Sequence, residues 1–383
     1  MTASRPGTWP DMAVDFHGLR IVLVGPLPPP AGGMANQTRQ LAELLRGEGA
    51  EVEVVQVNAP YRPAWAGRVM GVRALFRLVP YVARLWSVCG RADLVHVMAN
   101  SGWSWHLFAA PAVWMAALRA TPVVVNYRGG EAGPFLLRAG RWVRLTMRRA
   151  SALLLPSGFL LDVFARHGMP GRVVPNIIDL ERFQPASVPR ASARAPHLVV
   201  ARNLEPIYGI DTVLAAFALI VQQFPGATLS VAGSGPEAAA LAALAQRLGI
   251  DGQVTFTARL DRDEMAALYR SADVMLNASR VDNMPNAVLE AMASGVPVVT
   301  TNVGGIPYIV SDRRTGMLVP PDDPPALARA ACELLSDTGL YRSLKENGLA
   351  DVRQYRWASV RGELAAAYAD VLQAATPQLT RKA

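Results

Sequence analysis

The sequence predicts an α/β protein made of two doubly wound parallel-sheet domains that face each other across a cleft. Three observations carry this reading. Short β-branched runs alternate with helical patterns along the whole chain. The runs are apolar on both faces, as in parallel strands covered by helices on each side. At 383 residues the chain also exceeds what one ordinary core holds.

The first domain is assigned to residues 1–185. Its strand candidates are "RIVLVG" (20–25), "EVEVVQV" (51–57), "DLVHVM" (93–98), "PVVVNY" (122–127), "ALLLP" (152–156) and "RVVPN" (172–176). Apolar-periodic segments such as "MANQTRQLAELLRGEG" (34–49) separate them. A stretch rich in Pro, Ser and Ala, "DLERFQPASVPRASARAP" (179–196), reads as a linker. The second domain, 186–355, repeats the grammar with "HLVVA" (197–201), "ATLSVAG" (227–233), "QVTFTA" (253–258), "DVMLNAS" (273–279), "PVVTT" (297–301) and "GMLVP" (316–320). The tail "YRWASVRGELAAAYADVLQAATP" (355–377) is helical with no strand after it, so residues 356–383 are expected to pack back on the first domain. Ligands of such sheets bind outside the carboxyl ends of the strands, which places the expected site in the cleft between domains.

Composition excludes several classes. Hydrophobic residues make up 51% and charged residues 18%, so sizeable cores are available. Cys89 and Cys332 form no disulfide or metal-ligand pattern, which fits a reducing compartment. The start "MTASRPGTWPDMAVDFHGLR" has no apolar core of a secretory signal. The longest apolar run, "LFAAPAVWMAAL" (107–118), is short of the roughly twenty residues of a membrane span. The expected location is cytoplasmic. Charge is uneven: residues 1–185 hold 20 Arg, no Lys and 11 acids, whereas residues 186–383 hold 18 basic and 19 acidic residues.

Several residues suit chemistry at the cleft. In "GPLPPPAGGMANQ" (25–37), Gly32 and Gly33 precede a helix whose unpaired N–H groups favour an anion; an ordinary Pro/Gly turn is the other reading. The Gly233 and Gly235 turn reads as structural. Arg202 follows a strand directly, so its guanidinium is expected in the cleft, where it suits a phosphate; a surface ion pair is the alternative. The stretch "SRVDNMPNAVLEAMASGVPVVTTNVGG" (279–305) places Asp282 in a loop and Glu290 on the helix that Pro285 opens, with no Lys or Arg between them. Such acids make a poor structural pair but suit the diols of sugar and ribose. Gly304 and Gly305 predict a further cleft loop with exposed backbone donors. His96, within a strand, reads as a packed histidine rather than a base. The acids of "DRDE" (261–264) read as helix capping, so no metal site is expected.

Taken together these features resemble a family 4 retaining glycosyltransferase of the GT-B fold. The resemblance covers roughly residues 20 to 370. It is carried by two acids with seven residues between them, by "EAMASGVPVV" and a "GG-I-P" loop, by "LVPPDD" (318–323) and by "VPNIIDLERF" (174–183). It implies that Glu290 holds the donor ribose, Asp282 faces the donor sugar, Arg202 holds the diphosphate, and Gly32 and Gly33 approach the phosphates. Asn283, Met284, Pro285 and Asn286 would line the sugar pocket. Three departures stand out. The first acid is Asp282 rather than glutamate. Tyr208 in "EPIYG" stands where the family commonly has lysine. Arg128 in "VVVNYRGGE" (123–131) stands near the usual place of a histidine, beside Asn126 and Tyr127. Arg128 is a candidate for the missing phosphate charge. On the acceptor side the candidates are Asn100, Ser101, Asn126, Tyr127 and His106, the last in the loop "NSGWSWH" (100–106) with Trp103 and Trp105.

The implied activity is transfer of a sugar from a nucleoside diphosphate sugar to a glycan or lipid-linked acceptor, without metal or other cofactor. The alternatives are a sugar-nucleotide epimerase and a nucleotide-sugar-binding subunit without catalysis. Two basic amphipathic stretches suggest an anionic membrane as partner, hence a peripheral position on its inner face; a solvated arginine face is the other reading. The first holds Arg62, Arg68, Arg73, Arg77 and Arg84; the second holds Arg138, Arg141, Arg144, Arg148 and Arg149. No nucleic-acid-binding module is visible.

Overall fold

A computed structural model describes residues 16–29, 32–60, 73–186 and 195–379, with side chains undescribed at 73–75 and 376–379. Arg62, Arg68 and residues 187–194 of the Pro/Ser/Ala-rich linker lie outside the described residues.

All twelve strands expected from the sequence form, in two parallel sheets. The first contains β1 (Arg20–Gly25), β2 (Glu51–Gln56), β3 (Leu94–Ala99), β4 (Val123–Tyr127), β5 (Ala152–Leu155) and β6 (Arg172–Val173), in the order β2-β1-β3-β4-β5-β6. The second contains β7 (His197–Ala201), β8 (Thr228–Ala232), β9 (Val254–Ala258), β10 (Val274–Asn277), β11 (Val298–Thr301) and β12 (Met317–Val319), in the order β12-β11-β10-β7-β8-β9. β3, β4, β10 and β11 are buried at every residue, which explains why they read as unbroken apolar runs. β6 is shorter than its apolar run because Pro175 has no N–H to extend the ladder.

Helices cover both faces of each sheet. On the first sheet, one layer comprises α2 (Arg73–Cys89), α3 (Ala110–Leu118), α4 (Ala132–Met147) and α5 (Gly158–Arg166). The opposite face receives α1 (Gly33–Gly47) and the last helix, α12 (Trp357–Leu379). Val360, Leu364 and Tyr368 of α12 pack with Phe16, Ile21 and Leu23, so the chain's last helix completes the first domain's core. Numbered in chain order between these, α6 (Ile210–Gln223), α7 (Ala238–Arg247), α8 (Arg262–Ser271), α9 (Asn286–Ala293), α10 (Pro324–Ser336) and α11 (Thr338–Asp351) cover the second sheet.

Both sheets reverse direction of winding near their middle, between β1 and β3 and between β7 and β10. Loops at these switch points diverge and leave a crevice at the carboxyl ends of the strands. The loops after β1, β4, β7 and β10 all reach a shared cleft of about 580 Å³.

Candidate active site in the interdomain cleft

The second-domain wall begins with Arg202 and Asp282, which leave adjacent strands at the switch point. They form an ion pair, and each side chain is 12% exposed. Arg202 also donates to Ser279 Oγ at 3.1 Å and lies over the Tyr208 ring, 4.5 Å from its centroid. No Lys or Arg lies between the two acids in sequence, yet a cation accompanies the first of them in space. Strand adjacency brings Arg202 to Asp282, which linear spacing does not show. Arg280 turns away from the cleft to Asp211 and Asp322, at 2.8 and 2.7 Å.

Glu290 lines the cleft from α9 and is flanked by Arg202, Arg262 and Tyr269. Burial pushes its carboxyl up to about 7, against the opposing pull of Arg262 and Arg202. Asn283, Met284, Pro285 and Asn286 line the same wall. Gly304 and Gly305 do not line the cleft, which corrects the expectation of exposed donors there. Gly304 has φ +54°, and a Cβ on it would lie 2.0 Å from the Asp282 carbonyl oxygen. The Gly305 N–H donates to that carbonyl at 3.1 Å. The glycine pair thus lets one loop press against the backbone that carries Asp282.

The first-domain wall is built around α1 and Arg128. Gly32 caps α1 in an extended conformation without a side-chain cap, and the first turn holds no acid. Its first N–H groups have no helical acceptor, and Gly32, Gly33 and Met34 line the cleft. Arg128 projects from the end of β4. Its Nε donates to Asn126 Oδ1 at 3.1 Å, and Nη1 donates to Gln37 Oε1 at 3.5 Å and to Asn176 Oδ1. All three acceptors are neutral amides. Burial pulls the Arg128 pKa down to about 10, so the guanidinium remains charged at neutral pH.

Asn176, which the sequence reading did not single out, ties the walls together. Its amide Nδ2 donates to the Met284 carbonyl at 3.0 Å and to Asn286 Oδ1 at 2.6 Å, while its oxygen accepts from Arg128. Gln37 Nε2 donates to the Ile177 carbonyl at 2.8 Å and its oxygen accepts from the Ile177 N–H at 3.1 Å. Ser157 Oγ reaches Asn283 Oδ1 at 2.5 Å. These contacts join segments far apart in sequence; the only advance signal was Asn176's place within "VPNIID".

Asn100 and Ser101 line the cleft, but three other acceptor-side candidates do not. Asn126 is buried and holds Arg128. Tyr127 is buried, its hydroxyl 2.6 Å from Ser101 Oγ. His106 is exposed in a π-helical turn, Trp105–Ala109, that continues into α3, and it packs edge-on to Trp103 and Phe135. The apolar content of 103–118 favoured helix where the sequence reading expected a loop. His96 is buried, with Nδ1 2.8 Å from the Tyr368 hydroxyl. Burial, then Arg128, drives its pKa down to about 3. Asp261 accepts from the N–H groups of Asp263 and Glu264 at 2.8 and 2.9 Å, and Glu264 accepts from the Asp261 N–H, which accounts for the "DRDE" acids as a capping box.

Two facing Rossmann-like domains with a phosphate-suited cleft define a GT-B protein, and solved structures agree. Sucrose-phosphate synthase from Thermosynechococcus elongatus superposes with a TM-score of 0.73 at 22% identity, over 93% of this chain and 100% of that one. Anabaena HepE, solved with UDP and glucose, gives 0.70 at 18% identity, over 92% and 99%. Residues 31–182 match "Glycosyltransferase Family 4" and residues 195–337 match "Glycosyl transferases group 1". A D-inositol 3-phosphate glycosyltransferase of Segniliparus rotundus is 30% identical, over 90% of this chain and 85% of its own. A GDP-mannose-dependent alpha-(1-6)-phosphatidylinositol monomannoside mannosyltransferase of Mycobacterium tuberculosis is 28% identical, over 90% and 97%. The chain belongs to the family 4 glycosyltransferases and is a transferase enzyme.

Proposed function

We propose that this enzyme moves a sugar, with retention at the anomeric carbon, from a nucleoside diphosphate sugar to a lipid-linked glycan precursor. The observation that carries the donor reading is Arg128. A half-buried, charged guanidinium held, among the described residues, by neutral amides on a cleft wall is a receptor prepared for an anion. In this reading the bond from C1 to the β-phosphate oxygen breaks and its electron pair leaves with the diphosphate. Arg128, Arg202 and the first amides of α1 hold that charge, and Glu290 accepts the ribose hydroxyls. The acceptor hydroxyl bonds C1 on the same face and loses its proton to the departing phosphate. Retention rests on the family resemblance.

The named activities of the Segniliparus and Mycobacterium relatives, one acting on an inositol phosphate and the other on a phosphatidylinositol mannoside, support a polar or lipid-anchored acceptor. An epimerase would need an acid–base pair on the cleft wall. His96 is buried against Tyr368, His106 lies off the wall, and Asp282 is ion-paired, so the residues do not favour that reading.

The test is incubation with radiolabelled UDP- and GDP-sugars and a membrane extract. Label appearing in the lipid fraction is expected. A changed sugar still attached to its nucleotide would replace transfer by epimerisation. Binding without turnover would leave a non-catalytic subunit.

A further inference from the structure

The helical layer of the first domain carries a pattern that the cleft does not use. Between Glu53 and Asp162 the sequence holds thirteen arginines and only two acids, Asp93 and Glu131. Within that interval α2, α3 and α4 pack side by side on one face of the first sheet, and none contains an acid. Their outward side chains are apolar to a degree unusual for a surface. Leu137 and Trp142 on α4 are 80% and 70% exposed, and Val79 and Trp86 on α2 are 61% and 48% exposed. Arg138, Arg141 and Arg148 are exposed on α4 or just past it, interleaved with Trp142 and Leu145. Arg119 lies over the Trp86 ring at 4.8 Å, and Arg149 over Trp114 at 5.2 Å.

Arginines among exposed Trp and Leu match a phospholipid interface. Guanidinium groups meet the phosphates, while indole and leucine side chains enter the boundary of the acyl region. Nucleic acid would account for the arginines but not for Leu137 and Leu145. No helix among the described residues is long and apolar enough to cross a membrane, so the contact is peripheral.

We infer that the α2–α3–α4 face docks on an anionic phospholipid membrane. Placement relative to the cleft gives the contact a purpose, which rests on the lipid-linked acceptor proposed above. Trp103, 77% exposed, opens the helical run leading into α3, and Ser101, two residues before it, lines the cleft. A membrane at this face brings an anchored acceptor to the cleft's first-domain edge.

The experiment is co-sedimentation of the full chain with vesicles of phosphatidylcholine alone and of phosphatidylcholine with phosphatidylglycerol. Binding is expected only with the anionic lipid and is lost in high salt. The combined Arg138→Gln, Arg141→Gln and Arg148→Gln variant should partition about a hundredfold more weakly. Trp142→Ser with Leu145→Ser should weaken binding about tenfold. Calorimetry with UDP- and GDP-sugars should give the same donor affinity for these variants as for the parent chain. That measurement checks folding and separates failure of this surface from failure of the glycosyltransferase reading. Equal partition into both vesicle types, binding to neither, capture by duplex DNA instead of vesicles, or variants that bind like the parent would overturn the inference.

Discussion

Arg128 and Arg202 stand on opposite walls of the cleft, and the two domains hold them by opposite means. Arg202 is neutralised by Asp282 and covered by the Tyr208 ring. Arg128 is held by the amide oxygens of Asn126, Gln37 and Asn176. Amide oxygens satisfy the donors of a guanidinium without cancelling its charge. In the function proposed above, the difference gives the two cations different parts in holding an anion. Arg128 keeps its full charge in a half-buried position, whereas Arg202 carries a charge that Asp282 already shares. The place where the family commonly has lysine is filled by the Tyr208 ring, and in the function proposed above Arg128 of the first domain stands in for that charge.

The largest effect that would break this contrast comes from removing Arg202. Arg202→Ala leaves Asp282 as an unpaired carboxylate beside the anion site. Breaking a buried pair from one side costs about 3–5 kcal/mol. Thermal unfolding should show a loss of that order, and nucleoside diphosphate binding should weaken by more than about a hundredfold. Adding Asp282→Asn should restore most of the stability and part of the affinity. No restoration by the second change would mean that the pair is not what sets the charge on this wall.

On the other wall the sharper test converts an amide to its isosteric acid. Asn176→Asp places a carboxylate against Arg128 and removes the donations to Met284 and Asn286. Charge-assisted hydrogen bonds are worth roughly 1.5–3 kcal/mol, so diphosphate affinity should fall about ten- to a hundredfold while nucleoside affinity holds. Calorimetry showing equal losses for both ligands would mean that Arg128 serves something other than phosphate.

The contrast also shows what the sequence could and could not display. Strands were legible because each is a short β-branched run, buried on both faces at the centre of each sheet, and Glu290 was legible because its helix carries a distinctive local pattern. The shell around Arg128 was not, since Gln37, Asn126 and Asn176 come from α1, β4 and the segment after β6. Gln37 and Asn176 alone are unremarkable polar residues, and Asn126 reads as an acceptor-side residue rather than as a partner of Arg128. The Arg202–Asp282 pair was hidden for the same reason: it exists because β7 and β10 are neighbours in a sheet whose order no single stretch encodes. His106 was misplaced because a helix beginning with tryptophans and a serine has no strong start signal.

Glu290 provides a test by pH. Its carboxyl is raised to about 7, so it is mainly ionised only above that pH. The sign follows directly: ribose hydroxyls need the ionised acceptor, so donor affinity should be present above pH 7 and decline as pH falls through it, up to about tenfold per unit. For folding the sign is reversed. A carboxyl raised above its ordinary value contributes stability at low pH that is lost as pH rises from the ordinary carboxylate range to about 7. Glu290→Gln should flatten both curves and lower donor affinity about tenfold at high pH. A nucleotide-sugar donor is the right probe, since its phosphates do not titrate near neutrality. A parent curve that is flat through pH 7 would remove Glu290 from the donor site.

The smallest expected effect concerns Tyr208, the feature that most separates the two arginines. Its ring lies 4.5 Å from the Arg202 guanidinium and, with Asp282, limits where that group points. A partly buried cation–π contact is worth about 1 kcal/mol. Tyr208→Leu should therefore weaken diphosphate binding about fivefold, and Tyr208→Phe, which keeps the ring, should leave it unchanged. If the ring acts by positioning Arg202, the loss should disappear when Tyr208→Leu is made in the Arg202→Ala background, because residues sharing one interaction are not additive. It should persist in the Arg128→Ala background, since the other wall has no part in that contact. A loss of equal size in all three backgrounds would show that Tyr208 touches the ligand directly. The asymmetry between the walls would then lie in what each presents to the donor rather than in how each holds its arginine.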